Sequence, residues 1–114
     1  MKIKYRVKTH EDFQAVVHST TYEKNKTFVV YYLKNEYGHA RIGVSAPKKL
    51  GNAVVRTTTR RQIRSMIRDT IKDLESFDYV IIVRKDYHLK TYEENKNELL
   101  HLFSKIRRRM NEKN

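Results

Sequence analysis

The sequence predicts an α+β fold, with a small mixed sheet and helices packed on it. Three segments place apolar residues at helical spacing on one side. Three others are rich in β-branched and aromatic residues, which is typical of strands. The segments occur in the order α-β-β-(β)-α-β-α, which favours helices layered on a sheet. With 114 residues, 39% of them apolar, residues 1–114 suffice for a single domain with one modest core.

The first helix is predicted over about residues 9 to 19. Thr9 and Asp12 have the spacing of a capping box, in which a side-chain oxygen accepts a hydrogen bond from a backbone N–H near the helix N-terminus. The apolar residues that follow lie three and four positions apart: Phe13, Val16 and Val17. This spacing gives the helix one apolar face.

Two strands are predicted next, over residues 27–33 and 40–45. Residues 35–38, Asn-Glu-Tyr-Gly, are typical turn residues, so we expect a β-hairpin, with a short additional strand near residues 21–25. Side chains alternate along the first strand, with Phe28, Val30 and Tyr32 on one face and Val29, Tyr31 and Leu33 on the other. Only one of these faces can be exposed.

The second helix is predicted from about Thr57 to Leu74. Its apolar residues recur at steps of three and four, which indicates one buried stripe: Ile63, Met66, Ile67, Ile71 and Leu74. Three consecutive threonines are weak helix formers and acceptable caps, so the helix is expected to begin as late as Thr58 or Thr59.

The last two elements are a strand and a helix. Residues 79–84 form a nearly continuous apolar run, which predicts a strand buried on both faces. A third helix is predicted from Thr91 to about Arg109, because Glu94 stands at the capping-box position after Thr91. The apolar residues of this helix share one side: Leu99, Leu100, Leu102, Phe103 and Ile106.

The positive charge is concentrated in the middle of the chain. The formal net charge is +12, and no acidic residue lies between Glu36 and Asp69. That stretch holds eight basic residues: Arg41, Lys48, Lys49, Arg56, Arg60, Arg61, Arg64 and Arg68. On a helix, Arg60, Arg64 and Arg68 lie about one turn apart and form a ridge. Because like charges at this spacing repel, we expect an anionic partner outside the chain.

The residue types in the ridge favour nucleic acid as that partner. Arginine makes bidentate bonds to phosphate, whereas a helix lying on a membrane needs an apolar side that is here required for the core. Tyrosines in and after the first strand add possible stacking surfaces for unpaired bases: Tyr31, Tyr32 and Tyr37. The sequence thus indicates a single basic RNA-binding domain.

Composition excludes several other classes of protein. No apolar run approaches the roughly 18 residues of a membrane-spanning helix, and there is neither a signal-peptide pattern nor any Cys. The five histidines are scattered without a ligand-like spacing. We therefore expect a cytoplasmic protein that binds no membrane, metal or cofactor itself and has no obligate protein partner.

No set of residues suited to protein-based catalysis is found. Asp78 and Asp86 flank the last strand, but they are eight residues apart and lack a third acidic ligand for a two-metal nuclease. Turn residues are the better interpretation of both. Ser45 and His39 lack an orienting acid, so they do not form a triad.

The segment from Arg41 to Arg56, RIGVSAPKKLGNAVVR, is the most specific part of the sequence. It predicts a strand containing Gly43, then a basic loop that projects Lys48 and Lys49 and closes at Gly51. Together with Arg60, Arg61 and Arg64, it resembles the signature of the protein subunit of bacterial ribonuclease P. The resemblance extends over nearly the whole chain, to EDFQ at 11–14, FVVYY at 28–32, DYVIIVRK at 78–85 and TYEENKNELLHLF at 91–103.

The resemblance implies a fold and a function. The fold would contain a left-handed βαβ crossover, against the usual right-handed preference. The protein would be the accessory subunit of an endoribonuclease that removes the 5′ leader of precursor tRNA, with hydrolysis and Mg²⁺ binding in the RNA subunit. The catalytic RNA would be bound by Lys48, Lys49, Arg56, Arg60, Arg61, Arg64 and Arg68. A cleft holding the single-stranded leader would include or border Phe13, Tyr31 and Arg84.

The sequence departs from the family pattern in two places. The family's helix commonly opens with Arg-Asn and then Arg or Lys, whereas here Arg56 is followed by Thr57 and Thr58. Val17 stands where the family often has an aromatic residue. Two other interpretations stay open from the residues alone: a non-catalytic RNA-binding module, such as a ribosomal or assembly protein, and a protein-only nuclease.

Overall fold

A computed structural model describes residues 1–112 and contains three α-helices and four strands in the order α-β-β-β-α-β-α. The helices are α1 (His10–Val17), α2 (Ala53–Ile67) and α3 (Tyr92–Glu112). The strands are β1 (Tyr22–Lys24), β2 (Phe28–Lys34), β3 (Arg41–Ser45) and β4 (Phe77–Val83). The predicted α+β class is confirmed, and so is the short additional strand. Within the described residues, no helix combines the length and apolar character needed to cross a membrane.

The sheet is mixed, with strand order β1-β2-β4-β3. Strand β4 pairs antiparallel with β2 and parallel with β3, which makes it a central strand. The predicted hairpin of β2 and β3 is therefore wrong, because β4 is inserted between them. The physical reason is the apolar character of β4 on both faces, which suits a central position better than an edge.

The parallel pair is connected through α2, so β3, α2 and β4 form a βαβ unit. Two consecutive strands that pair in parallel need a long crossover connection of this kind, because a short hairpin turn would make the second strand antiparallel to the first. The handedness of this crossover stays a prediction from the family resemblance.

The main core lies between the sheet and the two longer helices. Phe28, Val30 and Tyr32 face it from β2, which confirms the predicted alternation. The largest fully buried side chains include Tyr79, Ile63 and Leu99, contributed by β4, α2 and α3. Helix α1 lies on the opposite face, where Val16 is completely buried. The sheet is thus covered on one face and only partly covered on the other.

Helix α2 begins earlier and ends earlier than its sequence predicted. The Asn52 side chain accepts a hydrogen bond from the backbone N–H of Val55 at 3.0 Å, which caps the helix before the threonines. Thr59, inside the helix, donates its hydroxyl to the Val55 carbonyl at 2.9 Å. The expected start at Thr58 or Thr59 is therefore wrong. After Ile67 the chain tightens into a 3₁₀ turn at Ile71–Asp73, so the last predicted turn is not α-helical.

The other helix ends agree better with the sequence. Thr91 and Glu94 form the predicted reciprocal capping box, with N···O distances of 3.0 and 3.2 Å. At α1, Thr9 accepts from the Asp12 N–H at 3.0 Å, while the Asp12 carboxylate contacts Arg41 instead of the Thr9 backbone. Helix α1 ends at Val17, two residues short of the predicted boundary.

A buried ion pair connects β3 to β4. Arg41 is 5% exposed, and its Nε and Nη2 donate to the two carboxylate oxygens of Asp78 at 2.8 and 2.6 Å. The hydrogen bonds to Asp78 raise the pKa of Arg41. Asn35 donates to the same carboxylate at 2.8 Å. Asp78 is therefore a strand residue that holds Arg41, and its interpretation as a turn residue is wrong.

We expect Asp78→Asn to lower the free energy of unfolding by about 3 to 5 kcal/mol, because it removes the buried carboxylate that pairs with Arg41 and leaves only the more exposed Asp12, at 3.2 Å. Urea unfolding followed by circular dichroism measures this change. The control is Asp73→Asn, an exposed carboxylate on the 3₁₀ turn, for which we expect a change within about 0.5 kcal/mol. Equal effects of the two substitutions would contradict the importance of the buried pair.

Candidate nucleic-acid interface

Helix α2 separates an apolar side from a cationic side. Thr59, Ile63, Met66 and Ile67 are buried against the core. The predicted RNA-binding residues lie on the remaining surface: Arg61 and Arg68 are exposed, whereas Arg56, Arg60 and Arg64 are half-buried. The structure therefore brings the helical arginines together on one surface, which we call the α2 arginine face (Arg56, Arg60, Arg61, Arg64 and Arg68).

The α2 arginine face has little internal neutralisation. Among residues 1–112, its one carboxylate contact within 4.0 Å is a 3.9 Å approach of Arg68 to Asp69, and both side chains are highly exposed. Such exposed pairs contribute little. Carboxylates elsewhere in the chain already hold other cations: Glu23 contacts Lys105 and Arg109, and Glu98 contacts Lys90.

Two of the arginines are held in place by neutral oxygens. Arg56 donates its Nε to the Ala46 carbonyl at 3.2 Å, which ties the helix to the loop after β3. Arg60 donates to the Thr57 hydroxyl at 3.3 Å. A neutral acceptor positions a guanidinium group without cancelling its charge, so both arginines can still attract an anion.

The lysine loop is shaped by Gly51. Lys48 and Lys49 are exposed on a 3₁₀ turn, Lys48–Leu50, which immediately precedes α2. Gly51 has φ 146°, and a Cβ atom there would approach Val55 Cγ1 to 3.0 Å. Only glycine fits this backbone without strain. The loop therefore presents its two lysines beside the N-terminus of the arginine helix.

Arg6 joins the α2 arginine face, although the sequence analysis did not select it. The N-terminal segment runs along the outer side of β3, where Arg6 forms a parallel bridge with Ile42. Burial, followed by the charges of Arg6 and Arg60, lowers the pKa of Arg64. The contact depends on tertiary structure, so no local pattern in the sequence could have revealed it.

Phe13 and Tyr31 lie on the sheet face that α1 partly covers. A Cβ atom on Gly43 would lie 3.0 Å from Phe13 Cε2, so the ring rests directly on the backbone of β3. Gly43 pairs with Val80, and Val80 pairs with Tyr31 on its other side. Phe13, which lies over Gly43, is therefore aligned with Tyr31 along one row of paired residues across the sheet. Both are half-buried, which leaves part of each ring accessible.

Tyr22 extends this surface and was not selected from the sequence. It is 43% exposed on β1, opposite Tyr31, with ring centroids 5.1 Å apart. Val17, at the position where an aromatic is common, is half-buried on α1. Tyr32 is buried in the core, so it offers no stacking surface, and Tyr37 packs on the Arg41 guanidinium at 4.1 Å.

Arg84 lies at the C-terminal end of β4. It follows β4, is exposed, and donates to the Asn25 carbonyl at 2.8 Å. A cavity of about 240 Å³ brings it near Lys49, together with Lys26, Lys85 and Asp86. The structure thus places one member of the predicted leader group beside one member of the predicted RNA-binding group.

Among residues 1–112, no three His, Asp or Glu side chains are grouped to hold a metal ion.

Comparison with known proteins shows the family to which the chain belongs. The family model described as Ribonuclease P matches residues 1–107. The ribonuclease P protein component of Streptococcus gordonii is 42% identical over 102 residues, covering 90% of this chain and 86% of that protein. The protein component of Mesoplasma florum is 44% identical over 101 residues, covering 87% and 92%.

Solved structures of similar sequence have the same fold. The RNase P protein of Staphylococcus aureus matches with a TM-score of 0.81 and 35% identity, over 88% of this chain and 93% of that one. The RNase P protein of Thermotoga maritima matches with a TM-score of 0.79 and 26% identity, over 88% and 96%. The chain therefore belongs to the family of ribonuclease P protein components, the protein part of an endoribonuclease.

Proposed function

We propose that this chain is the protein subunit of a ribonucleoprotein that removes the 5′ leader from precursor tRNA. In this proposal it binds the catalytic RNA through α2 and the lysine loop, and the unpaired leader through the sheet face beside α1. The observation that carries the proposal is the α2 arginine face, which has almost no carboxylate partner within residues 1–112.

The α2 arginine face suits the phosphates of a folded RNA. It presents planar guanidinium groups on a rigid helix, and the half-buried stems of Arg56, Arg60 and Arg64 restrict their motion before binding. Restricting a side chain in advance reduces the entropy lost on association. Phosphate contacts of this kind fix position and register and read no base sequence.

The leader surface suits unpaired nucleotides. Phe13, Tyr31 and Tyr22 offer partly accessible rings on one sheet face, and Arg84 adds a positive charge at its end. Every base has a flat π-face, so aromatic stacking tolerates different leader sequences. An aromatic surface next to a positive charge is typical of proteins that bind single-stranded nucleic acid.

Hydrolysis is assigned to the RNA subunit and its Mg²⁺. Asp78, one of the carboxylates considered for a two-metal site, has both oxygens engaged by Arg41, and Asp12 contacts the same arginine. Asp86 lies beside a cluster of lysines and Arg84. These residues do not fit a magnesium site, so the chain's own contribution is binding and orientation of RNA.

Adding the purified chain to a bacterial ribonuclease P RNA and a precursor tRNA at low Mg²⁺ is expected to raise the rate of cleavage at the mature 5′ end. The measurement is a time course of leader release with and without the chain. An unchanged rate would favour a non-catalytic RNA-binding module of another assembly, and cleavage by the chain alone would identify a protein-only nuclease.

Replacing Arg60 and Arg64 together with Ala is expected to weaken RNA binding and to flatten its salt dependence. Each phosphate contact contributes about 0.7 to 0.9 to the slope of log K against log salt concentration, because binding releases counterions. Filter binding over a salt series measures the slope. The control, Lys96→Ala with Arg108→Ala, removes two charges from α3. If both pairs of substitutions reduce the slope equally, or if neither pair reduces it, α2 is not the RNA-binding surface.

Phe13→Ala is expected to lower affinity for precursor tRNA in the assembled enzyme while leaving affinity for mature tRNA nearly unchanged. Stacking contributes about 1 to 3 kcal/mol per base, and mature tRNA has no leader to stack. The control is Phe77→Ala, which truncates a half-buried ring on the opposite face of the sheet.

Unfolding of both variants must be measured first, because truncating a core aromatic costs about 3 to 5 kcal/mol of stability. If a folded Phe13→Ala protein loses affinity equally for the two tRNAs, the proposal that this sheet face binds the leader is wrong.

A further inference from the structure

The turn between β1 and β2 holds the side chain of Arg84. This turn spans residues 25–27, and the carbonyl oxygen of Asn25 accepts a hydrogen bond from Arg84 Nη1 at 2.8 Å. The backbone N–H of Arg84 donates to the Thr27 carbonyl, also at 2.8 Å. Both the backbone and the guanidinium group of Arg84 are thus attached to the same turn. The conformation of the turn therefore decides where this exposed charge points.

The side chain of Asn25 gives the turn its shape. Its Oδ1 accepts from the backbone N–H groups of Thr27 and Phe28 at 2.9 and 2.8 Å, and the Asn25 N–H donates to the Phe28 carbonyl at 2.9 Å. An asparagine side chain that bonds to the backbone two residues ahead takes the place of a main-chain turn. The residue whose amide fixes the turn is therefore the residue whose carbonyl holds Arg84.

Helix α3 fixes the turn from the side of the core. Thr27 is completely buried, and its hydroxyl donates to the Glu98 carboxylate at 2.7 Å. Lys90 donates to the other oxygen of that carboxylate at 2.6 Å and to the Thr27 hydroxyl at 3.1 Å. Asn25 Nδ2 donates to the Glu98 carbonyl at 3.4 Å. These bonds restrict the motion of the turn, so it is a rigid support for Arg84.

The support leaves the charge of Arg84 in place. A carbonyl oxygen is neutral, and in the described part of the chain no carboxylate lies within 4.0 Å of the Arg84 guanidinium group. Asp86 lines the same cavity, two residues further along the chain. An ion pair between these two side chains would neutralise Arg84, and the bond to the Asn25 carbonyl holds the guanidinium group where it makes no such pair.

We propose that Asn25 is a positioning residue, which directs the Arg84 side chain toward the 5′ leader of precursor tRNA. This inference rests on the proposed function and adds to it a residue that acts through Arg84. An arginine that is held before binding loses less side-chain entropy when it contacts a nucleotide. The cavity at Arg84 also includes Lys26 and Lys49, so the held side chain lies where the predicted leader surface meets the lysine loop.

A double-mutant cycle in the assembled enzyme tests this role. Arg84→Ala is expected to lower affinity for precursor tRNA about tenfold, the effect of one charged hydrogen bond, and to leave affinity for mature tRNA nearly unchanged. Asn25→Ala should lower precursor affinity about twofold to tenfold, the cost of ordering one free side chain. In a chain that already carries Arg84→Ala, Asn25→Ala should have no further effect, because both substitutions then remove the same contact. Equilibrium binding of the two tRNAs measures all four proteins.

Asn35→Ala is the matched control. The Asn35 Oδ1 also shapes a turn, by accepting from the Tyr37 N–H at 3.1 Å, but the Asn35 amide donates to Asp78 and has no bond to Arg84. We expect it to lower stability without a selective loss of precursor affinity. Asn25→Ser is a milder variant, which keeps an uncharged oxygen for the Thr27 N–H and should bind precursor tRNA better than Asn25→Ala. Unfolding of each variant is measured first, and Asn25→Ser replaces Asn25→Ala in the cycle if the latter does not fold.

The outcomes separate this inference from the proposed function. If the effects of the substitutions at Asn25 and Arg84 add, if the Asn25 variants lower affinity for both tRNAs equally, or if they change neither, Asn25 does not act through Arg84 and the inference is overturned. The proposed function then still stands, provided that Arg84→Ala weakens binding of precursor tRNA alone. If Arg84→Ala has no such effect, the leader role of Arg84 and this inference are both wrong, and Phe13→Ala still decides whether the sheet face binds the leader.

Discussion

The parallel pairing of β3 with β4 is the constraint on which the rest of the molecule depends. Because parallel neighbours need a crossover, α2 must run from the end of β3 back to the start of β4. Its apolar stripe then covers the core, and its arginines are left on the outside. The buried contact of Arg41 with Asp78 joins the same two strands, so a polar interaction supports the pairing that positions the cationic helix.

Much of the fold could be predicted because its signals are local. The alternation in β2, the capping box at Thr91 and the apolar stripe of α2 depend only on near neighbours in sequence. The predicted hairpin failed because strand order is a long-range property, and two strands adjacent in sequence are not always adjacent in the sheet. The nearly continuous apolar run of β4 did contain a relevant signal, since a strand that is apolar on both faces suits a central position in the sheet better than an edge.

In the candidate site, too, some residues have local signals in the sequence and others depend on tertiary structure. The arginines of α2 were recognised from their spacing, whereas Arg6 reaches them only through the pairing of the N-terminal segment with β3. Arg41 was counted with the concentrated basic residues, but the fold neutralises it with Asp78. The distribution of charge along the sequence therefore counted Arg41 among the cations available to a partner, and it did not identify Arg6 as part of the site. The start of α2 was misplaced because Asn52 caps it ahead of the three threonines.

The N-terminal segment also closes an edge of the sheet. Without it, β3 would present a row of unpaired backbone groups to other molecules, and such edges promote strand-to-strand aggregation. The Arg6 bridge to Ile42 and the Val7 hydrogen bond occupy part of that edge. The opposite edge, β1, is only three residues long and includes Lys24, and both features discourage further pairing. Both edges of the sheet are thereby protected against pairing with strands of other molecules.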